Sequence, residues 1–120
     1  MGEVRLTIQV KSFSATGAAG ESVEVLADTG ATLTMLPEPL LRRAGVEPND
    51  RVSVQLADGR MATRAVGGAW IIVEGHAAPA RVMFGEPADA PLLGLTVLEQ
   101  LGLAVDPVAR RLVPAKLILY

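Results

Sequence analysis

Asp28-Thr29-Gly30 is the part of this sequence best suited to chemistry. The run Ser22-Val23-Glu24-Val25-Leu26-Ala27 precedes it, and Ala31-Thr32-Leu33-Thr34-Met35-Leu36-Pro37 follows. A strand-like run therefore delivers a carboxylate, a hydroxyl and a glycine into a sharp loop, and a second apolar run carries the chain away. An ionisable group set this closely among hydrophobic residues is costly unless it is paired or put to work. The work open to a carboxylate is general acid–base catalysis. Two carboxylates in contact cannot both ionise, so they share a proton. One takes a proton from water while the other gives one to the group under attack. Such a pair titrates as a unit. The chain holds one Asp-Thr-Gly and no Asp-Ser-Gly, so it supplies half of such a pair. A complete dyad needs Asp28 from each of two chains across a two-fold axis, which a homodimer provides.

The neighbours suit this use. Gly30 lets the backbone turn tightly and come close to a facing loop. The Thr29 hydroxyl can brace the loop from inside. Ala31 leaves space beside the carboxylate. The tripeptide alone fits an ordinary Asx-type turn between two strands equally well. It would arise by chance in roughly one chain in forty of this length, so the surrounding elements must decide.

The 120 residues suit one domain spanning 1–120 and can close a core without disulfides or metals. Aromatic residues make up only 3%, so the core must come from Val, Leu, Ile, Ala and Met. The 11 basic and 13 acidic residues are mixed along the chain, which argues against a nucleic-acid partner. No cysteine is present, and the single histidine, His76, cannot form a zinc cluster. Neither a metal nor an organic cofactor is expected. The alternating N-terminus lacks a signal-peptide core, and no apolar run is long enough for a membrane span, so the expectation is a cytoplasmic protein without a membrane partner.

Val4, Leu6, Ile8 and Val10 alternate with polar residues and predict a half-buried strand. Ser12 to Glu21 reads as a loop, and Val23–Ala27 and Thr32–Leu36 as strands. Pro37 and Pro39 flank the start of a short helix, Glu38–Ala44, with Gly45 at its C-terminal end. Val52 to Val66 reads as a hairpin whose tip is Asp58-Gly59. Gly67-Gly68 interrupts the return arm as a bulge or bend. Trp70–Glu74 resumes a strand, Gly75-His76 turns, and Ala80–Phe84 is a further strand. Thr96 and Glu99 have capping-box spacing for a second helix that ends at Gly102. Leu103–Val105 and Arg111–Val113 pair about an Asp106-Pro107 turn, and Lys116–Tyr120 is a candidate last strand at an interface. Many short strands and two short helices, without repeated strand–helix alternation, indicate a mostly β, barrel-like fold.

A second apolar signature, Leu92-Leu93-Gly94, runs into Leu95-Thr96-Val97-Leu98-Glu99-Gln100-Leu101-Gly102. The order acid loop, short helix, hairpin, apolar-apolar-Gly, helix spans Val4 to Val113. It resembles the single-domain clan AA aspartic proteases, similar to the retroviral (retropepsin-like) proteases and most like their small prokaryotic stand-alone members. The resemblance implies a closed β-barrel of the acid-protease type, with Asp28 as the catalytic residue of a homodimeric aspartic endopeptidase. It implies that Leu92, Leu93 and Gly94 form a strand behind the acid loop. The hairpin would be a flap closing over a peptide or protein substrate, with Thr32, Leu56, Asp58, Gly59 and Arg60 as substrate-binding positions. Two departures stand out. Retroviral enzymes often pair an Asp with an Arg where this chain has Thr32 and Leu95, so both charges are absent together. The flap tip also carries fewer glycines. A non-catalytic peptide-binding or dimerisation module on the same fold is the alternative reading.

Other conspicuous residues have plain readings. His76 and Asp106 are turn residues, Asp58 faces solvent at the hairpin tip, and Trp70 is core or interface. Arg42-Arg43 and Arg110-Arg111 are solvated surface.

Overall fold

The computed structural model describes residues 3–14 and 20–116. Part of the loop expected over Ser12 to Glu21, and nearly all of the strand expected over Lys116–Tyr120, lie outside the described residues.

The strands are β1 (Arg5–Lys11), β2 (Glu21–Asp28), β3 (Thr34–Pro37), β4 (Asp50–Gln55), β5 (Met61–Val73), β6 (His76–Gly85), β7 (Leu92–Gly94), β8 (Leu103–Asp106) and β9 (Arg111–Pro114). The helices are α1 (Glu38–Arg43) and α2 (Leu95–Gln100). One sheet runs β1-β2-β7-β3-β6-β5-β4, and β1 pairs again with β5. Six strands thus close into a barrel, which leaves β4 as the free edge. Closure removes the exposed strand edges that an open sheet would present. β8 and β9 form a separate two-stranded sheet. Absent strand–helix alternation gave no sign of parallel pairing, yet β2 pairs with β7 and β3 with β6 in parallel. Both pairs join segments far apart in the chain, so no local pattern announces them.

The core is aliphatic, as the composition requires. Ile8, Val10, Val25, Leu36, Ile71, Val73, Val82 and Leu93 are fully buried inside the barrel. Leu40 and Leu41 of α1 and Val97 and Leu98 of α2 are buried in the same core. Gly45 and Gly102 follow the helices with φ of +83° and +66°, the left-handed ends that their sequence positions anticipate.

Several local expectations are corrected. β3 starts at Thr34, not Thr32, because α2 takes the Thr32 carbonyl. Thr96 and Glu99 form no capping box: Gly94 is the N-cap residue, and the Thr96 hydroxyl donates to the Thr32 carbonyl. The turn lies at Glu74-Gly75, both with positive φ as a type I′ turn demands, and His76 opens β6. Trp70 is not core. It lies 37% exposed on the barrel surface, edge-on to Phe13 at 5.5 Å.

Gly67 and Gly68 make no bulge, since β5 pairs with β6 in unbroken register from Val66 to Val73. They are small for reasons of contact. A Cβ on Gly67 would sit 2.4 Å from the Glu47 carbonyl oxygen, and one on Gly68 2.5 Å from the Phe13 ring. The buried face of β5 also changes here. Beyond Gly67 alternate residues enter the barrel core, whereas Arg64 and Val66 are buried on the other face.

Gly67 and Gly59 therefore separate two uses of glycine. Gly67→Ala is expected to cost about 1–3 kcal/mol, because a backbone carbonyl cannot rotate aside. Gly59→Ala, with φ of +88° in open space, is expected to cost about 1–2 kcal/mol for the left-handed backbone alone. Asn at 59 should recover most of that loss, while Asn at 67 should not. Urea midpoints of the four variants check this, and a Gly67→Ala protein as stable as wild type would refute the contact.

Candidate active site

β2 ends at Asp28, which pairs in register with Gly94 of β7. β7 is wedged between β2 and β3, with Leu92 opposite both Leu26 and Met35. The wedge is tight. A Cβ on Gly94 would lie 2.5 Å from the Leu33 carbonyl carbon and 2.9 Å from the Thr34 nitrogen, so only glycine fits. The buried Gly94 N–H donates to Thr34 Oγ1 at 3.0 Å. Leu93 is fully buried behind the loop.

The loop is held by its own backbone and by α2. The Gly30 N–H donates to Asp28 Oδ1 at 2.8 Å, and the Ala31 N–H to the Asp28 carbonyl at 3.2 Å. The φ of Gly30 is not positive. Its small size matters because a Cβ would lie 3.2 Å from the carboxylate oxygen. From α2, the Leu95 N–H donates to the Ala31 carbonyl and the Thr96 N–H to the Thr32 carbonyl. Backbone bonds thus tie helix to loop where the resembled enzymes often use an ion pair. Thr29 does not brace the loop from inside the chain. It is exposed, and its hydroxyl bonds to no other described residue.

Beside the loop lies a cleft of about 770 Å3. Gly30, Ala31 and Thr32 form one part of its lining, and Leu92 contributes from β7. The hairpin supplies Leu56, Asp58 and Arg60. Gly59 does not line the cleft; it shapes the tip. The Gly59 N–H donates to the Leu56 carbonyl and the Leu56 N–H to the Arg60 carbonyl, making a three-residue hairpin loop with the glycine left-handed. Asp58 is exposed, as expected, and also borders the cleft. It accepts from the Arg60 N–H at 3.0 Å and from Arg60 Nε at 2.6 Å. These two bonds, the backbone one first, hold its carboxyl below the usual 3.8.

Other lining residues escaped the sequence reading. Met35 and Met83 meet because β3 and β6 pair in parallel, a long-range contact with no local signature. Ala88, Asp89 and Ala90 form a wall between β6 and β7. Arg64 reaches this wall from β5. Its Nε donates to Asp89 Oδ2 at 3.0 Å and its Nη2 to Oδ1 at 3.3 Å. The hydrogen bond to Arg64 holds the Asp89 carboxyl below 3.8, against the opposing effect of its burial. Among the described residues, no three His, Asp or Glu side chains converge as metal ligands would.

Comparison with known proteins agrees with this geometry. Residues 15–100 match the family described as "gag-polyprotein putative aspartyl protease". No curated protein matches the chain. Among solved structures, the EIAV protease in complex with the inhibitor HBY-793 is similar at a TM-score of 0.64. It shares 18% identity, over 98% of this chain and 93% of that one. The simian foamy virus (mac) protease is similar at a TM-score of 0.57 and 24% identity, over 81% of this chain and 93% of that one.

Two outcomes follow for the site's supports. Thr34→Val is expected to cost about 1–3 kcal/mol by leaving the buried Gly94 N–H unpaired, while Thr34→Ser keeps the acceptor; equal denaturation midpoints for Val and Ser would contradict this. Asp89→Asn is expected to cost about 1–3 kcal/mol at pH 7. Because the Asp89 carboxyl is lowered on folding, its contribution is complete above pH 3.8 and fades as pH falls through the lowered value. Wild type and Asp89→Asn should therefore converge in stability well below pH 3.8, measured by thermal melts across pH. The match over most of the sequence and the shared barrel lead to one conclusion: this chain belongs to the gag-polyprotein aspartyl protease family and has the retropepsin-like fold.

Proposed function

We propose that the protein is an aspartic endopeptidase, active as a homodimer in which two Asp28 carboxylates face each other. The observation that carries this reading is the mounting of Asp28. It stands at the end of β2, is fixed by the Gly30 N–H, and belongs to a loop that opens through Gly30 and Ala31 into the cleft beneath the hairpin.

In this mechanism the dyad holds one proton and one water. The ionised carboxylate takes a proton from the water as its oxygen attacks the peptide carbonyl carbon. The protonated carboxyl gives its proton to the carbonyl oxygen. As the resulting gem-diol collapses, one of its hydroxyls gives a proton to the ionised carboxylate, the C–N bond breaks, and the nitrogen leaves with the proton of the other carboxyl. The products are a carboxylic acid and an amine, and the dyad regains its starting state. The free edge of β4 and the tip of the hairpin can hold the peptide extended by strand-like hydrogen bonds, with Thr32 at the other side of the cleft. Thr29, exposed beside the acid, would meet the second loop.

Asp28→Asn is expected to abolish cleavage of an unfolded casein substrate without changing the melting temperature. Cleavage by this variant at the wild-type rate would exclude the mechanism. Sedimentation should find dimer at concentrations where cleavage occurs, and activity confined to a monomer would remove the paired carboxylates. Binding of casein by wild type without cleavage at any pH from acid to neutral would favour the non-catalytic binding module.

A further inference from the structure

Among the described residues, Arg64 is the only buried charged side chain, at 8% exposure. The acid–base chemistry makes no use of it. It lies two residues before Val66, where the pairing of β5 with β6 begins; β6 ends at Gly85, and the chain runs on into the segment Glu86–Ala90. The guanidinium meets that segment as it leaves. It grips Asp89 with two nitrogens, at 3.0 and 3.3 Å, donates to the Thr63 carbonyl at 3.2 Å, and lies 3.5 Å from Glu86 Oε2. Asp89 in turn closes its own turn. Its Oδ2 accepts from the Glu86 N–H at 2.8 Å, and its N–H donates to the Glu86 carbonyl at 2.8 Å.

Ala88 and Ala90, on either side, line the cleft. Alanine has no reach of its own, so the backbone position decides where this wall stands. That position is set by Asp89, and Asp89 is held by the strand that also forms the return arm of the hairpin.

Stability is a poor reason for such a pair. A part-buried ion pair of this kind gains little over apolar side chains of similar volume, because desolvation offsets the attraction. What a bidentate arginine–carboxylate pair supplies, and an apolar contact does not, is a fixed direction and distance. We propose that Arg64 and Asp89 are a positioning pair: they lock the Glu86–Ala90 wall to the hairpin's return strand and so set the width of the cleft for an extended peptide. This rests on the protease reading. Neither residue touches the reacting atoms, and the effect falls on substrate binding before chemistry.

The test compares wild type with Arg64→Lys, Asp89→Asn and the apolar double variant Arg64→Met/Asp89→Leu. Two readouts are used: steady-state cleavage of fluorescently labelled casein, and hydrogen exchange of the amides of Glu86, Ala88, Asp89 and Ala90. The double variant is expected to melt at or above the wild-type temperature and still raise KM about tenfold, with kcat changed by less than about threefold. Arg64→Lys, which keeps the charge and loses the fork, should fall between wild type and the double variant in KM. Exchange at residues 86–90 should quicken in Asp89→Asn and the double variant, while that of Leu93 and Val82 stays unchanged. A double variant that folds with wild-type KM and unchanged exchange at 86–90 overturns the proposal, as does a KM that simply follows melting temperature across the set. If wild type fails to cleave casein, the protease reading has failed, and the wall is judged by exchange alone: faster exchange supports the lock and unchanged exchange refutes it.

Discussion

Gly94 has no room for a side chain, and the placement of the acid loop follows from that. Its position is bounded by the Leu33 carbonyl and the Thr34 nitrogen at distances no Cβ tolerates. With the side chain absent, β7 can enter between β2 and β3 and pair with both. Once there, its buried N–H requires an acceptor, and Thr34 Oγ1 provides one. Asp28 then ends a strand whose neighbour is fixed on two sides. The same strand runs directly into α2, whose first amides take the Ala31 and Thr32 carbonyls. Loop, strand and helix are thus one unit, assembled from contacts between residues some sixty positions apart in the chain.

Such a unit explains which parts of the molecule were legible in the sequence. The acid loop, the two helices with their terminal glycines and the Asp58-Gly59 tip are local features, governed by turn chemistry and short-range capping, and they lie where their residues place them. The parallel pairs β2–β7 and β3–β6 are not local, and their partners carry no mark of each other. The same limit hid Met35 and Met83. The misreadings at Gly67-Gly68 and at Thr96 have a common cause. Each residue was given a role within its own element, a bulge or a cap, whereas its partner lies elsewhere: the Glu47 carbonyl for Gly67, the Phe13 ring for Gly68 and the Thr32 carbonyl for Thr96. A sequence reveals what a residue does to its neighbours in the chain more readily than what the fold brings to it.

The Leu92-Leu93-Gly94 signature is the exception, and it is informative. Its three positions divide the labour of a strand seen from both faces. Leu92 borders the cleft, Leu93 fills the core, and Gly94 allows the close approach. In isolation this is an ordinary buried strand end. It acquires meaning through its separation from the acid loop and the helix after it, which is how a resemblance across the chain carried a contact that periodicity could not.

Within the chain the backbone around Asp28 is bonded, the Gly94 amide is satisfied, and no buried side-chain nitrogen or oxygen among the described residues lacks a partner. Thr29 and Gly30, by contrast, stand exposed beside a carboxylate that has no acidic companion in its own loop. A fold that satisfies its interior this thoroughly has no structural need for an acid at that place. A hydroxyl or amide side chain at position 28 could accept the Gly30 N–H as a turn residue does. In the proposed homodimer the ionisable group serves a second loop of the same kind, which would rest on the exposed Thr29 and Gly30.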